Sequence, residues 1–236
     1  MKAIEKKLWN RVLVAVVLLI LIPGVIALGV VLFADRKYNL ISMAVALLSC
    51  VPFFIRFETG RTGAREVIVI AVMTAFSVIG RLIFAPIPGF KPVSAITVIT
   101  GIALGPEAGF LVGSLSAVVS NIFFGQGPWT PFQMFVWGLI GLLSGILFYN
   151  KRKPNRILLA AVGVLSGVLF SVIMDIWTVL SIDGQFLWQR YVATVAAGLP
   201  FMAIYAVSNV VFLLILTIPF LEKLNRLKTK YQIFES

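Results

Sequence analysis

Long apolar runs separated by short charged segments extend along the whole chain. The run between Arg11 and Asp35 holds 23 uncharged residues, and the run 38–55 holds 18. About 20 apolar residues in a helix cross the roughly 30 Å hydrocarbon core of a bilayer. These runs therefore predict a transmembrane hairpin over 1–60. The basic start also resembles a signal peptide, but the first run is longer than a usual h-region and no clear A-x-A site follows it.

A charged joint that contains glycines, 56–66, predicts the boundary between this hairpin and a second unit over 61–236. The stretch 93–105 is too short to span a bilayer unless it is tilted or buried in protein. Six segments are expected in the second unit: about 67–84, 93–105, two within the 43 uncharged residues 108–150, 157–180 and 191–221. The prediction is an all-α integral membrane protein with about eight transmembrane segments.

Composition supports this class. The chain of 236 residues is 60% apolar and 12% charged, with a mean hydropathy of +1.04, whereas soluble domains carry roughly 25% charged residues. The net charge of +11 does not indicate nucleic-acid binding, because the basic residues cluster between apolar runs. With the N-terminus inside, 15 of the 20 Lys and Arg residues fall in cytoplasmic loops. Both termini are therefore expected in the cytoplasm.

Several classes of chemistry lack the residues that they need. The chain has no histidine and one cysteine, Cys50, which excludes imidazole catalysis, most zinc sites and an internal disulfide. It has no phosphate-binding loop and no nucleophile elbow, so ATP hydrolysis by this chain is not expected. We expect no catalytic or metal-binding residues. The alternatives are a membrane-embedded enzyme, which would need a carboxylate pair, and a scaffold.

Charged residues within the predicted spans are few, and each needs a partner or a wet cavity. An unpaired charge at the bilayer centre costs roughly 2.5–3.5 kcal/mol on insertion scales. Asp175 lies deep in its predicted helix, and Arg81 and Arg190 are expected near the same level. The sequence favours a structural Arg81–Asp175 ion pair and a ligand-binding role about equally.

Aromatic and polar residues near the proline-rich loops are further ligand candidates. Gln133 and Trp137 are four residues apart, on one helical face, which suits a flat ligand or ordinary helix packing. Trp129 and Trp188 lie in or beside loops expected on the outer side, where they would roof a pocket or anchor the chain at the membrane interface. Lys91 lies in another of these loops.

Small residues recur at a spacing of four, which lets helices approach closely in lipid. Gly105, Gly109, Gly113 and Ala117 form one such series. Ala71 and Ala75 form another. Either face suits internal packing or docking of another chain.

The sequence resembles the substrate-binding S components of energy-coupling factor (ECF) vitamin transporters over about 62–217. The resemblance rests on the six-span core and four motifs: Ala71-Val-Met-Thr-Ala75, Phe90-Lys-Pro-Val-Ser-Ala-Ile-Thr-Val-Ile-Thr-Gly101, Gly105-Pro-Glu-Ala-Gly-Phe-Leu-Val-Gly113 and Asn121-Ile-Phe-Phe-Gly-Gln-Gly-Pro-Trp-Thr-Pro131. The added hairpin departs from the family's usual core of six helices.

The resemblance implies a multi-pass protein of a bacterial cell membrane, with no cofactor of its own. It also implies a complex with a transmembrane coupling subunit and two cytoplasmic ATPases, which use ATP to energise uptake. In the family the A-x-x-x-A face contacts the coupling subunit, which assigns this role to Ala71 and Ala75. The family's pocket regions contain, in this chain, Lys91, Trp129, Gln133, Trp137, Asp175, Trp188 and Arg190, to which we add Arg81 as a substrate-binding candidate.

The resemblance is greatest to S components for cobalamin, so that cobalamin (vitamin B12) is the expected ligand. Riboflavin, pantothenate, a pyridoxine or pyrimidine precursor and a queuosine precursor are also compatible with the sequence. A folate or pantothenate ligand would require a cationic partner, which Lys91 or Arg190 could provide.

Overall fold

The computed structural model describes residues 9–10, 12–33, 44–45, 47–49, 51, 64–149 and 154–233, and these residues contain helices and no strand. Helix α1, over 12–33, contains the apolar span Val12–Leu32. It includes a π-helical stretch, Val17–Leu21, and continues as the α-helical segment Ile22–Phe33. The π-helical stretch ends two residues before Pro23, which has no N–H and disturbs the regular hydrogen-bond ladder.

Six further helices follow the charged joint. They are α2 (Ala64–Ile83), α3 (Val93–Leu104), α4 (Pro106–Phe124), α5 (Trp129–Phe148), α6 (Arg156–Asp183) and α7 (Trp188–Tyr231). Among the described residues, six helices are long and apolar enough to cross a membrane, namely α1, α2 and α4–α7. The all-helical membrane class is therefore confirmed. The segment predicted at 38–55 lies mostly outside the described residues.

Helix α3 explains how a short apolar stretch fits a membrane bundle. Its 12 residues rise about 18 Å, less than the thickness of the hydrocarbon core, and all of them are buried. Gly105 ends α3 with φ 106°, a conformation that favours glycine, and Pro106 begins α4 at once. Gly105 alone thus connects α3 to α4, and protein rather than lipid surrounds α3.

The glycine series is an internal packing surface. A Cβ on Gly141 of α5 would lie 2.3 Å from the carbonyl oxygen of Gly109 on α4. A Cβ on Gly113 would lie 2.3 Å from the carbonyl oxygen of Trp137. A Cβ on Gly101 of α3 would likewise lie 2.3 Å from the carbonyl oxygen of Gly141. Ala117 is fully buried. Of the two interpretations of this series, internal packing is correct, because the backbones of α3, α4 and α5 meet there.

Helix α7 is longer than the sequence predicts. The last span was expected to end near Leu221 before a basic tail, but the helix of 44 residues continues to Tyr231 through Pro200 and Pro219. Leu221, at the expected end of the span, and Leu224, within the extension, are both buried. Lys228 donates from Nζ to the carbonyl oxygen of Ala103 at 3.1 Å. Buried leucines and this hydrogen bond keep the basic segment helical.

Candidate ligand-binding site

A cavity of about 250 Å³ lies between α5 and the hairpin of α6 and α7. Helix α5 contributes Gln133, one turn after its start at Trp129. The cavity therefore lies in the half of the bundle nearer to the loops 84–92 and 125–128, which we call the proline-rich end. The lining residues from the hairpin are Phe170, Ser171, Met174 and Asp175 of α6 and Gly198, Phe201 and Tyr205 of α7.

Asp175 and Ser171 form the polar wall of this cavity. They are four residues apart and therefore lie on the same face of α6. Asp175 Oδ2 and Ser171 Oγ are buried and have no hydrogen-bond partner among the described residues. A Cβ on Gly198 would lie 3.6 Å from Asp175 Oδ2, so the glycine leaves the carboxylate uncovered. Buried acceptors without partners suit a ligand that brings donors.

Arg81 is buried but does not pair with Asp175. Its Nη1 donates to Ser120 Oγ and, at 2.8 Å, to Asn121 Oδ1, both on α4. The guanidinium also lies 4.6 Å from the ring centroid of Phe124 and 5.1 Å from that of Trp137. The ion pair considered from the sequence is thus wrong, because polar side chains of α4 and two aromatic faces hold the arginine.

A chain of hydrogen bonds runs from Arg81 to the cavity. A guanidinium can only donate, so Asn121 must turn its oxygen to Arg81 and its nitrogen away. Asn121 Nδ2 donates to Gln133 Oε1 and to Thr130 Oγ1, each at 2.9 Å. Gln133 therefore uses its oxygen in this chain and keeps its amide nitrogen to donate. The predicted residues Arg81 and Gln133 are connected through Asn121.

Aromatic side chains stack behind the cavity. Trp137 stacks on Phe170 with ring centroids 5.4 Å apart and an interplanar angle of 16°. Phe170 meets Tyr205 edge to face at 5.2 Å. Trp137 is thus connected to the cavity through Phe170, a lining residue. Trp129 contacts Trp177 at 5.7 Å, edge to face, near the start of α5.

The remaining predicted residues lie outside the cavity lining. Lys91 Nζ lies 5.2 Å from the ring centroid of Phe124, and its backbone N–H donates to Ser208 Oγ at 2.9 Å. Arg190 forms a 3.0 Å ion pair with Asp183 across the turn from α6 to α7. Trp188 is 64% exposed beside Phe186 and Tyr191. The structure therefore brings Gln133 and Asp175 together in the cavity lining. It places Lys91, Trp188 and Arg190 outside that lining.

Sequence reasoning missed the aromatic walls Phe170, Phe201 and Tyr205, and also Ser171. The i, i+4 spacing of Ser171 and Asp175 was a visible signal for the serine. No comparable signal singles out three aromatic residues among the many in the chain. Ala71 and Ala75 are exposed on α2, as a docking face requires.

The chain matches one family model and several known proteins. The family model described as "ECF-type riboflavin transporter, S component" matches residues 62–226. A UPF0397 protein of Vibrio atlanticus (strain LGP32) is 31% identical over 99 residues, covering 40% of this chain and 53% of that protein. A UPF0397 protein of Aliivibrio salmonicida (strain LFI1238) is 33% identical over 96 residues, covering 38% and 52%.

A further relative is named for its substrate. The folate transporter FolT of Clostridium novyi (strain NT) is 28% identical over 89 residues, covering 38% of this chain and 49% of that protein. The chain spans about half the length of the curated relatives that it matches.

Proposed function

The chain belongs to the family of ECF-type riboflavin transporter S components, and from this premise we propose that it is the substrate-binding membrane subunit of a vitamin uptake system. The family consists of transporter subunits, so the expectation that the chain is not an enzyme is confirmed. The observation that carries the proposal is the family match over 62–226, which includes every residue that lines the cavity.

The proposed ligand is a small heteroaromatic vitamin or precursor rather than cobalamin. Neither the description of the family nor the name of the folate-transporting relative supports cobalamin. The cavity volume of about 250 Å³ is below the roughly 300–1,000 Å³ of sites for drug-sized ligands, so we propose that the cavity holds only the ring of a vitamin and excludes a corrinoid, which is larger than such ligands. Phe170, Phe201 and Tyr205 favour a flat ring, such as the isoalloxazine of riboflavin or the pterin of folate.

The proposed partners are a transmembrane coupling subunit and two cytoplasmic ATPases. Ala71 and Ala75 are proposed to contact the coupling subunit, because both are exposed on α2 while the cavity lies among α5, α6 and α7. Small side chains at this spacing allow close approach of a partner helix in lipid. Ligand binding and docking would then use separate surfaces.

The proposed orientation places the proline-rich end outside the cell and both termini in the cytoplasm. The distribution of Lys and Arg in the sequence supports it, since cytoplasmic loops are enriched in these residues. The ligand would enter the cavity from the outside. The hairpin over 1–60 is proposed as a separate unit, for which we assign no role.

An uptake assay tests the proposal. The chain would be expressed together with its organism's coupling subunit and ATPases in cells that lack their own vitamin uptake. Accumulation of labelled folate or riboflavin should require both this chain and catalytically active ATPases. Accumulation that persists when the ATPases are inactivated, or that does not depend on this chain, would contradict the function.

A further inference from the structure

The cavity carries one formal charge among its lining residues, and that charge is negative. Asp175 Oδ2 and Ser171 Oγ, on one face of α6, are both buried and both without a partner. Such atoms require donors that the described protein does not supply. A carboxylate accepts up to two parallel N–H donors from a planar group. The arrangement therefore points to a ligand edge that bears N–H groups.

The nearby cations lie outside the cavity lining. Arg81 donates from Nη1 to Ser120 and Asn121, while its Nε has no partner among the described residues, and Arg190 is paired with Asp183. Lys91 lies against the ring of Phe124. None of these three side chains lines the cavity. Among the residues that line the cavity, a ligand carboxylate would thus meet the charge of Asp175 and no cation, and like charges repel in a low-dielectric site.

The opposite side of the cavity offers a donor. The oxygen of Gln133 accepts from Asn121, so its amide nitrogen is the group available to a ligand. The cavity thus combines a donor on α5, acceptors on α6 and an aromatic wall from Phe201 and Tyr205 on α7. A heterocycle that carries both acceptor and N–H donor positions on its ring matches this pattern.

We propose that Asp175 binds the exocyclic amino group of an aminopyrimidine-type ring, and that the site selects against vitamins recognised through a carboxylate. The inference rests on the proposed function and specifies the substrate class of the same site. Pterins and thiamine both contain such a ring. In a pterin, the 2-amino group and the adjacent ring N–H would face the two oxygens of Asp175. An acidic tail, where present, would point out of the cavity.

Four probes separate the possibilities by chemistry. Folic acid carries a pterin with an acidic tail, and thiamine carries an aminopyrimidine with a fixed positive charge. Riboflavin carries a ring imide without an amino group, and pantothenate carries a carboxylate without a ring. Binding of each would be measured by calorimetry on the full chain in lipid nanodiscs, for the wild type, D175N and D183N. Asp183 is the matched control, because it is an aspartate of the same helix that is paired with Arg190 outside the cavity.

We expect folic acid or thiamine to bind the wild type. The same probe should bind D175N at least tenfold more weakly than the wild type and should bind D183N with the wild-type affinity. Whichever of the two probes binds shows whether the site accepts a pterin or the aminopyrimidine of thiamine. Preferred binding of riboflavin or pantothenate, or affinity for an aminopyrimidine probe that D175N leaves unchanged, would overturn this inference and leave the proposed function standing. No binding by any of the four probes would also overturn this inference, whereas the uptake assay described above tests the proposed function separately.

Discussion

Asn121 on α4 donates a hydrogen bond from Nδ2 to Oε1 of Gln133 on α5, at 2.9 Å. The same asparagine accepts from Arg81 on α2, so a buried cation determines which end of the Gln133 amide remains for a ligand. We therefore propose that Arg81, a candidate for direct contact with the ligand, acts on the site through Asn121 instead. Its position between Phe124 and Trp137 is consistent with a positioning residue.

Replacing Asn121 by valine should weaken ligand binding without unfolding the bundle. The change frees the oxygen of Gln133 and lets the amide rotate, so the donor is no longer directed. We expect a loss of affinity of about tenfold, about 1.4 kcal/mol, comparable to one net hydrogen bond. Calorimetry with the probe that binds the wild type measures the loss.

S114A is the matched control for Asn121. Ser114 also joins α4 to α5, through a 2.9 Å hydrogen bond to the carbonyl oxygen of Met134, but it does not line the cavity. S114A should keep the wild-type affinity. Equal losses in N121V and S114A would mean that general loosening of the α4–α5 interface, rather than the direction of the Gln133 amide, weakens binding.

A methyl group at Gly141 should destabilise the core. Its Cβ would lie 2.3 Å from the Gly109 carbonyl oxygen, so the backbones of α4 and α5 must separate. Overpacking of this kind costs about 1–3 kcal/mol. Thermal unfolding in detergent should show a lower Tm for G141A. G24A provides the control, since a Cβ on Gly24 meets nothing within 4 Å; an equal fall in Tm for both variants would contradict the packing account.

A bulky side chain at Ala71 should stop uptake and leave ligand binding intact. Ala71 is exposed on α2, away from the cavity, so A71W blocks the proposed docking face without touching the site. We expect uptake to fall at least tenfold in the assay with coupling subunit and ATPases, with unchanged affinity in calorimetry. A161W alters an exposed alanine on α6 and should retain uptake. Lost affinity in A71W, or equal loss of uptake in both variants, would refute the docking role.

The stability contribution of Lys91 should depend on pH. Burial, together with the positive charge of Arg81, lowers the pKa of the Lys91 ammonium below its usual 10.5. Between the lowered pKa and 10.5 the unfolded chain binds more protons than the folded chain, so stability rises with pH in that window. K91M removes this dependence. The Tm of K91M minus that of the wild type should therefore become smaller as the pH rises toward 10.5.

Scans of Tm from pH 7 to 10.5 measure this difference. K223M, at an exposed position of α7, controls for the loss of one lysine elsewhere. If the Tm of K91M minus that of the wild type stays constant or grows with pH, then the burial of Lys91 does not penalise its charged form.

Helix positions follow closely from hydrophobic run length, because lipid requires about 20 apolar residues for each span. The predictions 67–84 and 157–180 correspond to Ala64–Ile83 and Arg156–Asp183. Helix α7 departs from its prediction because Leu224, which lies beyond the apolar run, is buried. That burial depends on tertiary packing, which a charge pattern does not reveal.

The site was less predictable than the helices. Asp175 and Gln133 stood out because polar residues are rare in the spans. Their neighbours depend on how α6 and α7 are rotated and aligned, for example on Gly167 lying against the backbone of Ala206. Apolar composition does not encode that alignment. The same alignment brings Asp183 opposite Arg190, which forms an ion pair there and does not line the cavity.

Native mass spectrometry of the protein purified from its own membranes tests the central claim most directly. The account predicts a small heterocycle bound to the wild type and to D183N, and lost from D175N. A bound heterocycle retained equally by all three proteins, or a wild type that carries none and takes up none from a vitamin mixture, would contradict the claim that the cavity at Asp175 holds the transported ligand.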